Sequence, residues 1–129
     1  MRLLLDSHAV LWWMADDPQL SEPAREAIEA ADEPLFSAAT LIELSVKVSL
    51  GKLRMPAEWS EELLAEGFAL LHVSPEHGHA LAELPFVEVN GRMHRDPFDR
   101  LLAVQATVES IPLVTCDPGI KAHGVATVW

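Results

Sequence analysis

The chain has 129 residues, half of them hydrophobic, enough to bury a real core, and it reads as one domain over residues 1–129. A single cysteine, Cys116, excludes an internal disulfide, and no apolar stretch approaches the ~18 residues that a membrane span needs. The formal net charge of −11 argues, on its face, against nucleic acid, whose binders usually carry a basic footprint.

Met1-Arg2 runs straight into three leucines and an aspartate, which is not a signal-peptide pattern. With the lone thiol, this points to the cytoplasm. Leu3 to Asp6 reads as a buried parallel strand, being a short continuous apolar run. A short helix from about Ser7 to Ala15 follows, broken by Asp16-Asp17-Pro18. Ser21 caps a helix with Pro23 in its first turn, running to about Ala31. Leu35 to Ser37 is a second strand. Thr40-Leu41-Ile42-Glu43 has the form of a capping box, which puts Glu43 in the first turn of a helix ending at Gly51.

An acidic amphipathic helix is expected from Pro56 to Gly67, and a third strand from Ala69 to Val73. Ser74-Pro75 caps a helix to about Leu84. Pro85 to Arg95 reads as a loop holding the Asn90-Gly91 turn signal. Asp96-Pro97 opens a long helix to about Ser110. Leu113 to Cys116 is a fourth strand, Asp117-Pro118 caps a short helix to about Ala122, and Val125 to Val128 suits a final edge strand. Strands alternating with helices give an α/β fold with a mainly parallel sheet.

Five carboxylates fall at these boundaries: Asp6, Glu43, Asp96, Asp99 and Asp117. In an open α/β sheet the carboxyl ends of the strands and the adjacent helix starts converge on one edge, where ligands bind. Singly, each acid has a plain explanation. Asp96 and Asp117 precede proline and suit N-caps. Glu43 suits a capping box, and Asp99 suits a helix dipole. Asp6 is harder to dismiss, because a charge at the end of a buried strand is costly if unpaired. Jointly they say more. Four carboxylates about 5 Å apart, at an effective dielectric near 20, repel by roughly 20 kcal/mol in total. That exceeds the net stability of a typical domain, so such a cluster needs protons or a cation. A hard, oxygen-liganded ion such as Mg²⁺ or Mn²⁺ suits it, and metal-assisted phosphoryl chemistry follows.

The basic residues gather near two of these acids. Lys47, Lys52 and Arg54 follow Glu43, while Arg92, Arg95 and Arg100 surround Asp96 and Asp99. Zinc is disfavoured, because no His-x-x-x-His spacing and no cysteine pair occurs. His77 and His79 fall on different helix faces and read as surface or partly packed residues. Cys116 reads as core, and the four tryptophans as packing or interface. Phosphate-binding glycine loops and Gly-x-Ser-x-Gly are absent.

The chain resembles the PIN-domain ribonucleases, and within them the VapC toxins of bacterial toxin–antitoxin pairs. The resemblance rests on Leu3 to Trp13, Ser37 to Glu43, Gly51 to Pro56, His94-Arg95-Asp96-Pro97-Phe98-Asp99-Arg100-Leu101-Leu102 and Leu113 to Pro118, in family order along the chain. The resemblance implies a three-layer α/β/α domain and an acidic site of Asp6, Glu43, Asp99 and Asp117 holding Mg²⁺ or Mn²⁺. Asp96 would be an extra acid or a cap that positions Asp99. Ser7 and Thr115 would hold a carboxylate or a bound water. Arg95, Arg100 and Lys47 are the candidates for steering an RNA backbone. The resemblance further implies cleavage of RNA phosphodiester bonds to 5′-phosphate and 3′-hydroxyl ends, a homodimer, and a VapB-like antitoxin that covers the acids.

Two other readings compete on the residues alone. A receiver-like phospho-acceptor domain also carries acids at strand ends, but would want paired acids after its first strand. A non-catalytic acidic module would bind a basic partner.

Overall fold

A computed structural model describes all 129 residues, Met1 to Trp129. In chain order the elements are β1 (Arg2–Leu5), α1 (Ser7–Met14), α2 (Glu22–Ala30), β2 (Glu33–Ser37), α3 (Ala38–Ser49), α4 (Trp59–Ala65) and β3 (Ala69–Leu71). Then come α5 (Pro75–Glu83), β4 (Val87–Val89), β5 (Arg92–His94), α6 (Pro97–Glu109), β6 (Leu113–Val114), α7 (Pro118–Lys121) and β7 (Thr127–Val128).

Five strands form one parallel sheet in the order β3-β2-β1-β6-β7. The period-2 alternation of β1 divides the core between its two faces. Leu3 and Leu5 join Val10, Ile28, Phe36, Leu44, Trp59 and Leu63 on one side. Leu4 joins Leu35, Leu102, Ala106, Leu113 and Ile120 on the other. Helices thus cover both faces, which gives the expected α/β/α layering.

The topology fixes where a ligand belongs. From β1 the chain builds outward through β2 and β3, then crosses back to lay β6 and β7 on the opposite side of β1. The order therefore reverses between β1 and β6. In open parallel sheets the crevice beyond the carboxyl ends of two such strands is the binding position. Asp6 directly follows β1, and Asp117 follows β6 by three residues.

Local chemistry places most helix starts. Ser21, Ser74, Asp96 and Asp117 each cap a helix whose first turn contains proline. Three regions depart from expectation. The helix α3 is capped by Ser37, whose Oγ accepts from the Ala39 N–H at 3.0 Å, and not by Thr40. The chain passes from strand to helix with no loop, so Thr40 is buried inside the helix and Glu43 is its sixth residue. The stretch expected as a loop from Pro85 contains an antiparallel hairpin, with Val87 opposite His94 and Val89 opposite Arg92. Asn90 and Gly91, at φ 52° and 78°, form its two-residue turn with both residues in the left-handed region, as the twist of a tight hairpin requires. The strand β6 ends at Val114, so Cys116 is exposed and not core.

Candidate active site

Asp6 is 4% exposed at the end of β1, and both its carboxylate oxygens are engaged. Oδ1 caps α1 by accepting from the Ala9 N–H at 2.8 Å. Oδ2 accepts from the Thr115 hydroxyl at 2.5 Å. The same Thr115 oxygen accepts from the Asp117 N–H at 3.0 Å. One buried hydroxyl therefore ties together the acids from two neighbouring strands. Asp117 turns its Oδ1 to the Ile120 N–H at 3.0 Å, capping α7.

On α6, Asp96 caps the helix by accepting from Phe98 and Asp99 N–H groups at 2.9 and 3.0 Å. It is exposed and caps the helix, and its charge also bears on Asp99. Asp99, three residues on, turns back toward the sheet edge, where its Oδ2 lies 3.3 Å from His94 Nε2. Glu43 comes in from α3. It accepts from the Ser7 hydroxyl, and Lys47 Nζ lies 3.7 Å from it one helical turn on. Ser7 Oγ also lies 3.5 Å from Thr40 Oγ1.

Electrostatics register this convergence. Burial pushes the Asp6 carboxyl above the usual carboxylate range, and the charge of Asp117 adds to it against the opposing hydrogen bonds from Thr115 and Ala9. Asp99 is pushed up to about 6, first by burial, then by the charges of Asp96 and Asp117, with Glu43 adding less and the His94 hydrogen bond opposing. Acids that raise one another's pKa at a sheet edge are the electrostatic mark of a cation site. Asp99 and Asp117 bring donor atoms within 4.8 Å of each other, which fits a hard cation, while Asp6 and Glu43, each oriented by a hydroxyl, stand outside that group and reach it through their charges.

One group went unread in the sequence. His94, at the end of β5, brings an imidazole to within 4.8 Å, donor atom to donor atom, of Asp99 and Asp117. His123 stands behind it, with Nε2 3.4 Å from His94 Nδ1. Paired-histidine spacing gives no sign of either, since each acts alone in sequence. The usable signal was that His94 lies five residues before Asp99.

The proposed RNA-steering residues divide. Arg95 is exposed near the site. Lys47 Nζ lies 3.7 Å from Glu43, with its side chain 44% exposed. Arg100 is buried and points elsewhere: its guanidinium donates to the Leu84 and Pro85 carbonyls at 3.0 and 3.3 Å and lies 4.0 Å from the Phe86 ring centre. It pins the segment leading into the hairpin, a role that burial of the long side chain dictates.

A family model for the PIN domain matches residues 3–125. Ribonuclease VapC22 of Mycobacterium tuberculosis (strain ATCC 25618 / H37Rv) is 31% identical over 133 residues, covering 98% of each chain. Among solved structures, VapBC2 from Rickettsia felis bound to a DNA fragment from their promoter superposes with a TM-score of 0.68 at 16% identity, over 98% of this chain and 97% of that one. FitAcB from Neisseria gonorrhoeae superposes at 0.62 and 21% identity, over 97% and 95%. At these identities the two structures speak for the fold, whereas the family model and the VapC relative each span nearly the whole chain. The chain therefore belongs to the PIN-domain family, in its VapC branch.

Proposed function

We propose that this protein is a Mg²⁺- or Mn²⁺-dependent endoribonuclease that acts as the toxin of a VapBC-type pair, with the whole chain folding as one domain. The observation that carries the proposal is the convergence of Asp6 and Asp117 across the β1–β6 reversal, bridged by Thr115 and joined by Asp99. Asp6, Asp99 and Asp117 would hold the cation, with Glu43 completing the acidic set. When bound, the cation supplies Lewis-acid stabilisation of charge developing on phosphate oxygens.

The chain's own residues do the positioning. Thr115 and Ser7 place their hydroxyl hydrogens on Asp6 and Glu43, so these carboxylates are oriented before substrate arrives. The helix starts of α1, α6 and α7 are capped by Asp6, Asp96 and Asp117, so their N–H groups hold these carboxylates in place. Hydrolysis by in-line attack of water would leave 5′-phosphate and 3′-hydroxyl ends.

The comparisons support a protein partner as well. The Rickettsia and Neisseria relatives were solved as VapBC2 and FitAcB, and a further fold relative is a toxin–antitoxin complex from Klebsiella pneumoniae, with a TM-score of 0.58. The surplus of acids over bases here suits a basic segment of a VapB-like antitoxin. A homodimer and a cytoplasmic setting are part of the same proposal, and no helix is long and apolar enough to cross a membrane. Family membership removes the receiver-like alternative, and Ser7, not a second acid, follows Asp6.

The test is cleavage of total cellular RNA by purified protein with Mg²⁺ or Mn²⁺, beside Asp6→Asn and an EDTA control, with the 5′ ends mapped. Discrete cuts lost in both controls are expected. Cuts that persist in Asp6→Asn at the wild-type rate would refute the assignment.

A further inference from the structure

The acidic edge is not built of carboxylates alone. His94 Nε2 lies 3.3 Å from Asp99 Oδ2, and His94, Asp99 and Asp117 each offer one donor atom within 4.8 Å of the other two. Two features outside the acids hold the imidazole there. The hairpin turn at Asn90-Gly91 returns β5 so that its last residue stands over the start of α6. Gly119 then leaves the ring its room. A Cβ on Gly119 would stand 2.3 Å from His94 Cδ2 and 2.5 Å from His94 Nε2. Any other residue at position 119 would fill the volume that the imidazole occupies.

The far side of the ring is equally defined. His94 Nδ1 faces His123 Nε2 at 3.4 Å, with the ring centres 5.5 Å apart. Histidines that bind metals characteristically engage the second ring nitrogen in a hydrogen bond, which fixes the tautomer. Without a cation, His94 Nε2–H is placed to donate to Asp99 Oδ2, and Nδ1 faces His123 Nε2. Moving that proton to Nδ1, where His123 Nε2 can accept it, would free the Nε2 lone pair for a cation lying between it and the two carboxylates.

The geometry points to His94 as a nitrogen ligand of the cation held by Asp99 and Asp117, with His123 as its hydrogen-bonded support and Gly119 as the residue that admits the ring. This inference rests on the acidic edge being a metal site. It changes what the site selects. Mg²⁺ favours all-oxygen, octahedral surroundings and keeps its waters, whereas imidazole nitrogen suits first-row transition metals. His94 therefore tilts the site from Mg²⁺ toward Mn²⁺, and sets the ratio of the two affinities.

Mn²⁺ itself is the probe. Pulsed electron paramagnetic resonance of the full-length protein loaded with Mn²⁺ reads directly coordinated ¹⁴N as modulation of the spin echo. Nitrogen modulation is expected in the wild type and lost in His94→Gln. In that variant Mn²⁺ affinity should fall by roughly tenfold or more while Mg²⁺ affinity changes far less. Gly119→Ala removes no donor atom, and its Cβ would stand 2.3 Å from the ring and 2.9 Å from Asp117 Oδ1; it should lose the modulation by expelling the ring, with some loss of Mn²⁺ affinity from the pressure on Asp117. Mn²⁺ bound by the wild type without nitrogen modulation would overturn the His94 assignment and leave the acidic site standing. Mn²⁺ bound no better by the wild type than by Asp99→Asn would overturn the metal site itself.

Discussion

Two histidine–carboxylate pairs in this chain have nearly the same dimensions and opposite surroundings. His77 Nε2 lies 3.1 Å from Glu109 Oε2, and His94 Nε2 lies 3.3 Å from Asp99 Oδ2. His77 is 1% exposed and every neighbour is a matched partner. Its Nδ1 accepts from the Ser74 N–H at 3.0 Å, completing a capping box in which histidine takes the usual place of Glu or Gln. Gln105 Nε2, 3.4 Å from that nitrogen, links it to Ser37, whose Oγ lies 2.5 Å from Gln105 Oε1. One carboxylate, one imidazole and matched donors make a clasp between α5, α6 and the start of α3. At His94 there are two carboxylates, a second histidine and no excess of donors. The first arrangement balances one imidazole against one carboxylate, and the second sets one imidazole against two carboxylates, which is the excess of negative charge that the proposed cation would offset. A histidine beside an acid therefore says little until the remaining nitrogen and the next charge are known.

The comparison breaks most visibly in catalysis. Asp99→Asn and Asp6→Asn should each lower RNA cleavage by roughly a thousandfold or more, since they remove charge that holds the cation. Both should keep a wild-type circular dichroism spectrum. His77→Ala, assayed well below its melting temperature, should leave the cleavage rate per folded molecule unchanged. A matching loss of rate in all three would abolish the distinction between clasp and site.

Stability sharpens it from the other direction. His77→Ala removes a buried ring, strands the Ser74 N–H and frees Gln105, at a cost of roughly 2–4 kcal/mol. For a chain of this size that is a fall of roughly 10 °C in Tm by calorimetry. His94→Gln should move Tm of the metal-free protein less, because the His94 side chain is 13% exposed against 2% for His77 and its two hydrogen bonds are long, at 3.3 and 3.4 Å.

The pH dependence of the metal-free protein tests the same corner. Asp99 is raised from 3.8 to about 6 in the folded state, so between these values the folded chain holds a proton that the unfolded chain has lost. Stability must then fall as pH rises through that window, on the order of 1–3 kcal/mol from this group. Asp6, also raised, works in the same direction. Urea melts at pH 4.5 and 7 should show the fall, Asp99→Asn should flatten it, and saturating Mg²⁺ should reverse it by binding the ionised acids. Equal pH dependence in wild type and Asp99→Asn would show that the acids are not crowded.

What the sequence made legible follows from range. Caps are local chemistry, so Ser21, Ser74, Asp96 and Asp117 announce their helices without help from the rest of the chain. Asp6 announces itself through the cost of a charge beside Leu3-Leu4-Leu5. What was missed depends on contacts distant in sequence. Ser37 ends a strand and caps a helix in one residue, so a capping-box pattern three residues later gave the wrong start. The hairpin strands are three residues each, too short for alternation to be read. His77 was read as surface or partly packed and is core, because its partners Gln105 and Glu109 lie about thirty positions on. The pairing of His94 with Asp117 and His123 likewise exists only once β5 and α7 meet at the sheet edge.

Lys47 carries the smallest expected effect and separates two roles. Its Nζ lies 3.7 Å from Glu43 on the favourable i,i+4 diagonal, and its side chain is 44% exposed. A pair of that exposure contributes about 0.5 kcal/mol or less to stability, so Lys47→Ala should leave Tm within about 2 °C of wild type. If Lys47 serves only to balance Glu43, its loss should tighten Mn²⁺ binding slightly and leave KM for RNA unchanged. If it also meets the RNA backbone, KM should rise, and the rise should shrink as salt screens the contact. Arg95→Ala run beside it distinguishes a general loss of positive charge from a contact specific to Lys47, because Arg95 is exposed and sits on a different segment, ahead of α6.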